Sequence, residues 1–332
     1  MINKPIEIAD LSKYRSQLMG AAMIMVMLFH VGGMRHDTIA YCVSRVGNVG
    51  VDLFLFLSGI GLLYSWTKTP QLRHFFVHRY IRVYPAWLII ACLYYIPLYI
   101  KGKLSFTDTF LDIAINWSFW EHDELTFWFI PAIMMLYTVA PAYMELIRRH
   151  PSYRWMPVAA MLLCVLIQYL SPLHHAVGHL EIFFSRIPIF LLGINAGQWI
   201  KDKRTLEPSS LWIIVIVFAM SAVACVNFEN GLRPRFPLFL ERMVYIPLTV
   251  TMMLLLCRLF AIAPSWVNKM FVFVGGISLE LYLIHIHFVL NHISPYHLGY
   301  WLTSAVVISI SVVLAWLLHG AINIVVKRIP IK

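Results

Sequence analysis

The apolar residues of this chain come in runs of about 20, the length that an α-helix needs to cross the hydrocarbon core of a bilayer. The predicted spans are Leu18–Met34, Asn48–Trp66, Tyr84–Ile100, Thr126–Ile147, Trp155–Leu170, Phe183–Ile200, Leu211–Phe228, Met243–Ala263, Phe271–Leu290 and Tyr300–Val326. Only 13% of the 332 residues are charged and 60% are apolar, whereas soluble domains have about 25% and about 45–50%. The sequence therefore predicts an all-α, polytopic membrane bundle of about ten transmembrane helices. It excludes soluble enzymes, nucleic-acid-binding proteins and disulfide-rich secreted domains.

The Lys and Arg residues are unevenly distributed between the two sides of the predicted bundle. An even number of spans puts both termini on one side, and 18 of the 26 Lys and Arg residues flank the spans on that side. Because cytoplasmic loops are enriched in these residues, both termini are predicted to be cytoplasmic. The connecting segments are short, so residues 1–332 are predicted to form one integral-membrane domain with a polar N-terminal segment, residues 1–16. The connector Phe106–Trp120 is compatible with a helix along the membrane surface.

Neither the cysteines nor the histidines have the spacing of a metal site. The five cysteines are scattered, and the 14 histidines are spread along the chain. His174, His175 and His179 lie close together in an outer loop, where solvated histidines are more common than a zinc site. No metal cofactor is therefore expected.

A histidine and an aspartate lie at the outer ends of the first two spans. His30 is near the end of span one, and Asp52 opens span two after a turn with two glycines. Across the hairpin, Asp52 is predicted to accept one ring N–H of His30 and to leave the other nitrogen as a base. The alternative is an interfacial histidine that is satisfied by water.

Two arginines lie at the cytoplasmic mouth of span three. Arg79 and Arg82 are three residues apart, so that a helix places both guanidinium groups on one face. Guanidinium groups bind phosphate through paired hydrogen bonds. The alternative is a pair of ordinary positive-inside anchors.

Span nine is rich in polar residues at membrane depth. Ser278, Glu280, Tyr282 and His285 fall within eight residues of it. An ionisable group at the centre of a membrane helix costs at least about 2.5–3.5 kcal/mol and therefore usually faces a cavity or a partner. These residues predict either a cavity wall or hydrogen bonds between helices.

Taken in order, six sequence segments resemble the acyltransferase type 3 family, whose members are multi-pass membrane proteins that acylate glycans and other hydroxyl acceptors. The segments are the end of span one at His30, Gly50–Gly59, Arg79–Pro85, Phe127–Pro131, Arg186–Gly193 and Ser278–His285. They extend from span one to span nine, so the resemblance covers nearly the whole chain.

The resemblance implies an acyl donor, usually acetyl-CoA, that binds from the cytoplasm, and a hydroxyl acceptor on a glycan or a lipid-linked molecule. It implies that His30 is catalytic, with Asp52 as its predicted partner. It assigns the segment of Arg79, Arg82 and Tyr84 to the donor. Further residues of the matching segments are candidates for the substrate cavity: Ser58, Trp128, Arg186, Glu280, Tyr282 and His285.

The chain departs from the family at one position. The family usually has Arg eleven residues before the histidine of span one, where this chain has Met19. Arg15 lies one helical turn earlier on the same face, so it is a candidate for the donor site. The hydrolase-like domain that some relatives carry after the last span is lacking, so that if the reaction needs a second catalytic unit, we expect it to be a separate envelope protein. The implied location is the bacterial cytoplasmic membrane.

Two chemical routes remain open at the sequence level. His30 either deprotonates the acceptor hydroxyl for direct attack on the thioester, or an acyl group is first transferred to His30 or Ser58. A proton-coupled transporter is the alternative function, because membrane His and Glu residues also form proton relays. Against it, the sequence has neither an inverted repeat nor a matched pair of broken helices.

Overall fold

The computed structural model describes residues 5–32, 39–122, 124–229 and 237–326. Nearly all of these residues are helical. Two strands of two residues each, β1 (Ile6–Glu7) and β2 (Thr205–Leu206), pair antiparallel and tie the N-terminal segment to a later loop. The all-α membrane architecture predicted from the sequence is therefore confirmed.

The α-helices follow one another with short connections. In chain order they are α1 (Asp10–Lys13), α2 (Arg15–Val31), α3 (Ile39–Val46), α4 (Gly50–Lys68), α5 (Leu72–Ile100), α6 (Phe106–Ile115), α7 (Ser118–His122), α8 (Phe129–Arg149), α9 (Met156–Tyr169), α10 (Ser171–Val177), α11 (Glu181–Phe184), α12 (Ile187–Lys201), α13 (Ser210–Asn227), α14 (Leu238–Ile262), α15 (Ser265–Gly276), α16 (Ser278–Ile284), α17 (Asn291–Ile293) and α18 (Tyr300–Val326). A π-helical segment, His285–Leu290, continues α16.

Within the described ranges, six helices are long and apolar enough to cross a membrane. They are Ser44–Lys68, Leu72–Ile100, Phe129–Arg149, Ser210–Asn227, Leu238–Ile262 and Tyr300–Ile324. Two bent pairs, Pro151–Tyr169 with Ser171–Phe184 and Ser265–Gly276 with Ser278–Tyr296, raise the number to eight if each pair is one span. The first and sixth predicted spans correspond to α2 and α12, which have only 17 and 15 residues. Ten spans and cytoplasmic termini therefore stay predictions.

Helix α4 lies at the centre of the bundle. In its apolar stretch 83% of the residues are buried, against at most 56% in the other five long spans. It packs closely on α12, where a Cβ added to Gly193 would lie 2.2 Å from the backbone oxygen of Phe56. Similarly, a Cβ on Gly275 of α15 would lie 2.0 Å from the backbone oxygen of Ser16. Small residues allow these close backbone contacts, as is common between membrane helices.

The connector between α5 and α8 contains two short helices, α6 and α7. Helix α6 has ten residues, about 15 Å at 1.5 Å per residue, which is too short to cross the membrane. The buried Asp112 carboxylate accepts hydrogen bonds from the Ser118 amide and hydroxyl at 2.8 and 2.9 Å. Asn116 donates to the Thr126 carbonyl at 2.7 Å and accepts from the Tyr95 hydroxyl at 2.6 Å. These contacts fix the segment that leads into α8.

Candidate functional site

Two cavities adjoin inside the bundle. We call the first the arginine cavity; its volume is about 340 Å³ and its lining includes Arg15, Met19, Ser58, Arg79, Arg82, Tyr137, Ser278, Glu280 and His319. We call the second the histidine cavity; its volume is about 450 Å³ and its lining includes His30, Asn48, Thr126, Phe127, Trp128, Arg242 and His287. Val26, Val51 and Tyr282 line both cavities. The two spaces are therefore separated only by a shared wall from α2, α4 and α16.

The arginine cavity brings together three guanidinium groups from two helices. Arg79 and Arg82 come from α5, one helical turn apart, and Arg15 comes from the start of α2. Arg79 donates to the Gly61 carbonyl at 3.2 Å. The Nε atoms of Arg15 and Arg79 are buried and have no hydrogen-bond partner within the described residues. Unused guanidinium donors of this kind suit a ligand with several phosphate oxygens.

Arg15, which was predicted as a candidate for the donor site, is the first residue of α2. It lines the same cavity as Met19, the position at which the family usually has Arg. Ser58 also lines this cavity. Tyr84, which was predicted to contact the donor, lines neither of the two cavities and instead packs against the hydrophobic core.

A carboxylate–imidazole pair also lines the arginine cavity. The Glu280 carboxylate of α16 accepts a hydrogen bond from His319 Nδ1 of α18 at 2.8 Å. Among the described residues that line the arginine cavity, Glu280 is the only acid, so the cavity has an excess of positive charge. His319 escaped the sequence analysis, although it and Tyr300 are the only ionisable residues in the last span.

The other polar residues of span nine continue along the cavity walls. Ser278 lines the arginine cavity, and Tyr282 lines both cavities. The Tyr282 hydroxyl accepts a hydrogen bond from the Phe129 amide at 3.1 Å, at the start of α8. Span nine thus supplies a side of both cavities, and Tyr282 links it to α8.

Two imidazole rings meet at the histidine cavity. His30 Nδ1 lies 2.8 Å from the Val26 carbonyl oxygen and 3.3 Å from Nε2 of His285. A carbonyl oxygen only accepts, so the hydrogen-bond network places a proton on Nδ1 of His30. The other nitrogen, Nε2, is then left without a proton on a ring that lines the cavity. The arrangement fits a base that faces a substrate.

The structure does not join Asp52 to His30. The described contact of the Asp52 carboxylate is an ion pair with Arg186, 3.8 Å between Oδ1 and Nε, and both side chains are buried. Arg186 also donates to Asn48 Oδ1 at 3.2 Å, and its guanidinium lies over the Trp128 ring, 5.1 Å from the centroid. The expected hydrogen bond across the hairpin is therefore not formed, because a buried guanidinium binds the carboxylate instead.

Further charged residues, most of them buried, lie around this ion pair, and they were not among the residues predicted from the sequence. Arg242 lies 3.6 Å from the Glu181 carboxylate and 7% of it is exposed. The Tyr245 hydroxyl donates to the Glu229 and Glu241 carboxylates, and Arg45 pairs with Glu229 at 3.2 Å. Most of these residues lie at the edges of apolar runs, where charges usually face water, so no local pattern indicated burial.

Among these charged residues, Arg242 is the cation that lines the histidine cavity. Its Nε and Nη1 atoms are buried without a hydrogen-bond partner among the described residues. The aromatic rings of Phe127 and Trp128 line the same cavity. Phe127 has a φ of 54°, which is rare for a bulky residue and is common at ligand-binding sites. Donors beside aromatic faces suit a hydroxylated ligand.

Metal binding has no support in the part of the chain that the structure describes. No group of three or more His, Cys, Asp or Glu side chains there is close enough to hold an ion. Of the outer histidines considered above, His179 bonds the Trp120 carbonyl through Nε2 at 3.0 Å.

Comparison with known proteins identifies the family. The family model described as an acyltransferase domain, that of the acyltransferase type 3 family, matches residues 18–320. Comparisons with curated proteins and with solved structures found no match. The match covers nearly the whole chain and all the lining residues of the two cavities except Arg15. The chain therefore belongs to the acyltransferase type 3 family of integral membrane proteins.

Proposed function

We propose that this protein transfers an acetyl group from acetyl-CoA to a hydroxyl group of a glycan or another surface- or lipid-linked acceptor. The observation that carries the proposal is the adjacency of the two cavities, one with three arginines and the other with His30, across a wall of three residues. Acetyl-CoA in the arginine cavity and the hydroxyl acceptor in the histidine cavity would then meet at His30, the proposed base. Family membership favours this function over proton-coupled transport.

The arginine cavity is the proposed donor site. The CoA phosphates bind Arg15, Arg79 and Arg82, whose guanidinium groups form charge-assisted hydrogen bonds with phosphate oxygens. The narrow pantetheine arm then extends toward the shared wall, past polar side chains that include Ser58 and Ser278. The thioester reaches the point where the two cavities meet, at Val26, Val51 and Tyr282, so that its carbonyl carbon is open to attack from the side of His30.

The histidine cavity is the proposed acceptor site. Nε2 of His30 takes the proton of the acceptor hydroxyl, and the oxygen attacks the thioester carbonyl carbon. The C–S bond breaks, the CoA thiolate leaves, and the proton held on His30 passes to the thiolate. Arg242 and the Trp128 ring contact the acceptor. The alternative route first transfers the acyl group to Ser58. It has weaker support because Ser58 lines the arginine cavity, whereas His30, the proposed base, lines only the histidine cavity.

The proposed setting is the bacterial cytoplasmic membrane, with the arginine cavity open to the cytoplasm, where CoA is found. This orientation agrees with the excess of Lys and Arg on the side of both termini. The acceptor then approaches from the opposite side. A separate envelope protein is the proposed partner where delivery or further modification of the acceptor is needed.

The donor site is tested by titrating the detergent-purified protein with acetyl-CoA. Arg79→Ala/Arg82→Ala is expected to weaken binding by more than tenfold, because each hydrogen bond with a charged group contributes about 1.5–3 kcal/mol. Arg148→Ala/Arg149→Ala is the matched control, since these two arginines are exposed at the end of α8 and pair with Glu145. Equal affinities for the wild type and both variants, with all three folded, would refute the donor site.

A further inference from the structure

The ring of His285 is held by backbone carbonyl groups. It is fully buried at the junction of α16 with the π-helical segment, and π-helical turns are frequent at functional sites. Its Nδ1 lies 2.9 Å from the Leu281 oxygen and 2.9 Å from the Tyr282 oxygen. Because both oxygens only accept, Nδ1 carries the proton. Nε2 of His285 is therefore a bare acceptor.

That acceptor faces His30. The 3.3 Å contact joins Nε2 of His285 to Nδ1 of His30, and the two rings meet edge to face with centroids 5.2 Å apart. The Nδ1–H of His30 is thus shared between His285 and the Val26 carbonyl. In the opposite tautomer of His30, Nδ1 would carry no proton and would face two hydrogen-bond acceptors, the Val26 oxygen and Nε2 of His285.

Other groups near the rings do not provide a competing partner. Glu280 accepts from His319, and Asp52 pairs with Arg186. His287 contacts the rings of Tyr94 and Phe127. Within the described residues, no carboxylate contacts either His30 or His285.

We infer that His285 is a positioning residue, which together with the Val26 carbonyl fixes the tautomer and the ring orientation of His30, so that Nε2 of His30 is the base. In a Ser-His-Asp triad a buried carboxylate accepts the Nδ1–H of the catalytic histidine and orients its ring. Here the acceptor is the unprotonated Nε2 of His285, a neutral ring whose own tautomer is fixed by two backbone carbonyl groups. The tautomer assignment stands on the contacts alone, whereas its use in catalysis rests on the proposed function.

Two substitutions separate positioning from packing. In His285→Gln the side-chain amide oxygen lies near the place of Nε2 and accepts from His30, whereas in His285→Phe an apolar ring fills the space without an acceptor. We expect His285→Gln to retain most of the transfer activity and His285→Phe to lose at least tenfold in kcat, with an unchanged KM for acetyl-CoA. A packing role predicts the opposite order, because Phe replaces the ring more closely in volume.

The direct measurement is NMR of the full chain with ¹⁵N-labelled histidine in lipid nanodiscs, with His30→Gln used to assign the His30 signals. The expected result is a proton on Nδ1 and none on Nε2 of His30, with the Nδ1 proton signal unchanged in His285→Gln and shifted upfield in His285→Phe. His292→Phe, at an exposed position on α17, is the control and leaves the His30 signals in place.

The outcomes of the two experiments are distinct. A proton on Nε2 of His30, or a His30 spectrum that is the same in both His285 variants, overturns the inference. The expected spectra in a protein that does not bind acetyl-CoA support the tautomer assignment and overturn the proposed function instead. Transfer of label from [acetyl-¹⁴C]acetyl-CoA to the membrane fraction of the expressing cells supplies the kinetic readout.

Discussion

The arginine cavity and the histidine cavity differ in how their residues are distributed along the chain. Two of the three arginines of the first cavity are one helical turn apart on α5, and helix geometry alone puts them on one face. In the second, the lining residue His30 contacts His285, which lies behind it and 255 residues away in the chain. Asp52, which lines neither cavity, pairs with the distant Arg186. The Arg79–Arg82 pair is thus encoded locally, whereas the addition of Arg15 from α2 and the contact of His30 with His285 depend on the packing of distant helices.

The largest expected effect comes from His30 itself. His30→Gln removes the base from the histidine cavity and leaves the arginine cavity untouched. We expect transfer to fall by about 10²–10⁴-fold, the usual contribution of a general base, and acetyl-CoA affinity to stay within twofold. The measurement is radiolabel transfer alongside acetyl-CoA titration of the same preparation. If transfer and acetyl-CoA affinity fell together, the two cavities would not have separate roles.

Asp52 provides the second test, because it separates a catalytic partner from a structural ion pair. Asp52→Asn leaves the buried Arg186 without its counter-charge, and breaking a buried pair costs about 3–5 kcal/mol. We expect a large drop in thermal unfolding temperature in detergent. In Asp52→Leu/Arg186→Met no unpaired charge remains, so a substantial part of the stability should return.

The same pair of variants addresses the role predicted for Asp52 from the sequence. If this carboxylate orients His30, Asp52→Asn should lower kcat in a protein of normal stability, and the double variant should not recover. That result would restore the hydrogen bond between His30 and Asp52 as the working arrangement.

The sequence was informative where a chemical pattern lay within one helix. The apolar runs predicted the membrane bundle, and the spacing of Arg79 and Arg82 predicted a common face. It was uninformative about pairs between helices, because any buried acid has several basic residues within reach. Asp52 was matched with His30, its neighbour across the hairpin, although Arg186, the residue before α12, carries a permanent charge and binds it. His319 and Arg242 were missed because a single ionisable residue near a helix end has no periodic signature.

The smallest predicted effect concerns the acidic residue of the arginine cavity. Glu280→Gln keeps an oxygen that accepts from His319 Nδ1 but removes the negative charge that faces the three arginines. We expect acetyl-CoA affinity to rise by two- to fivefold, since a change of one charge across a partly hydrated cavity is worth about 0.5–1 kcal/mol. Titration at low and at high salt checks the cause, because the gain should shrink as salt screens the charge. A tenfold loss of affinity would mean instead that the Glu280 carboxylate binds the donor directly. Helix α16 would then contribute to donor binding as well as to the wall that the two cavities share.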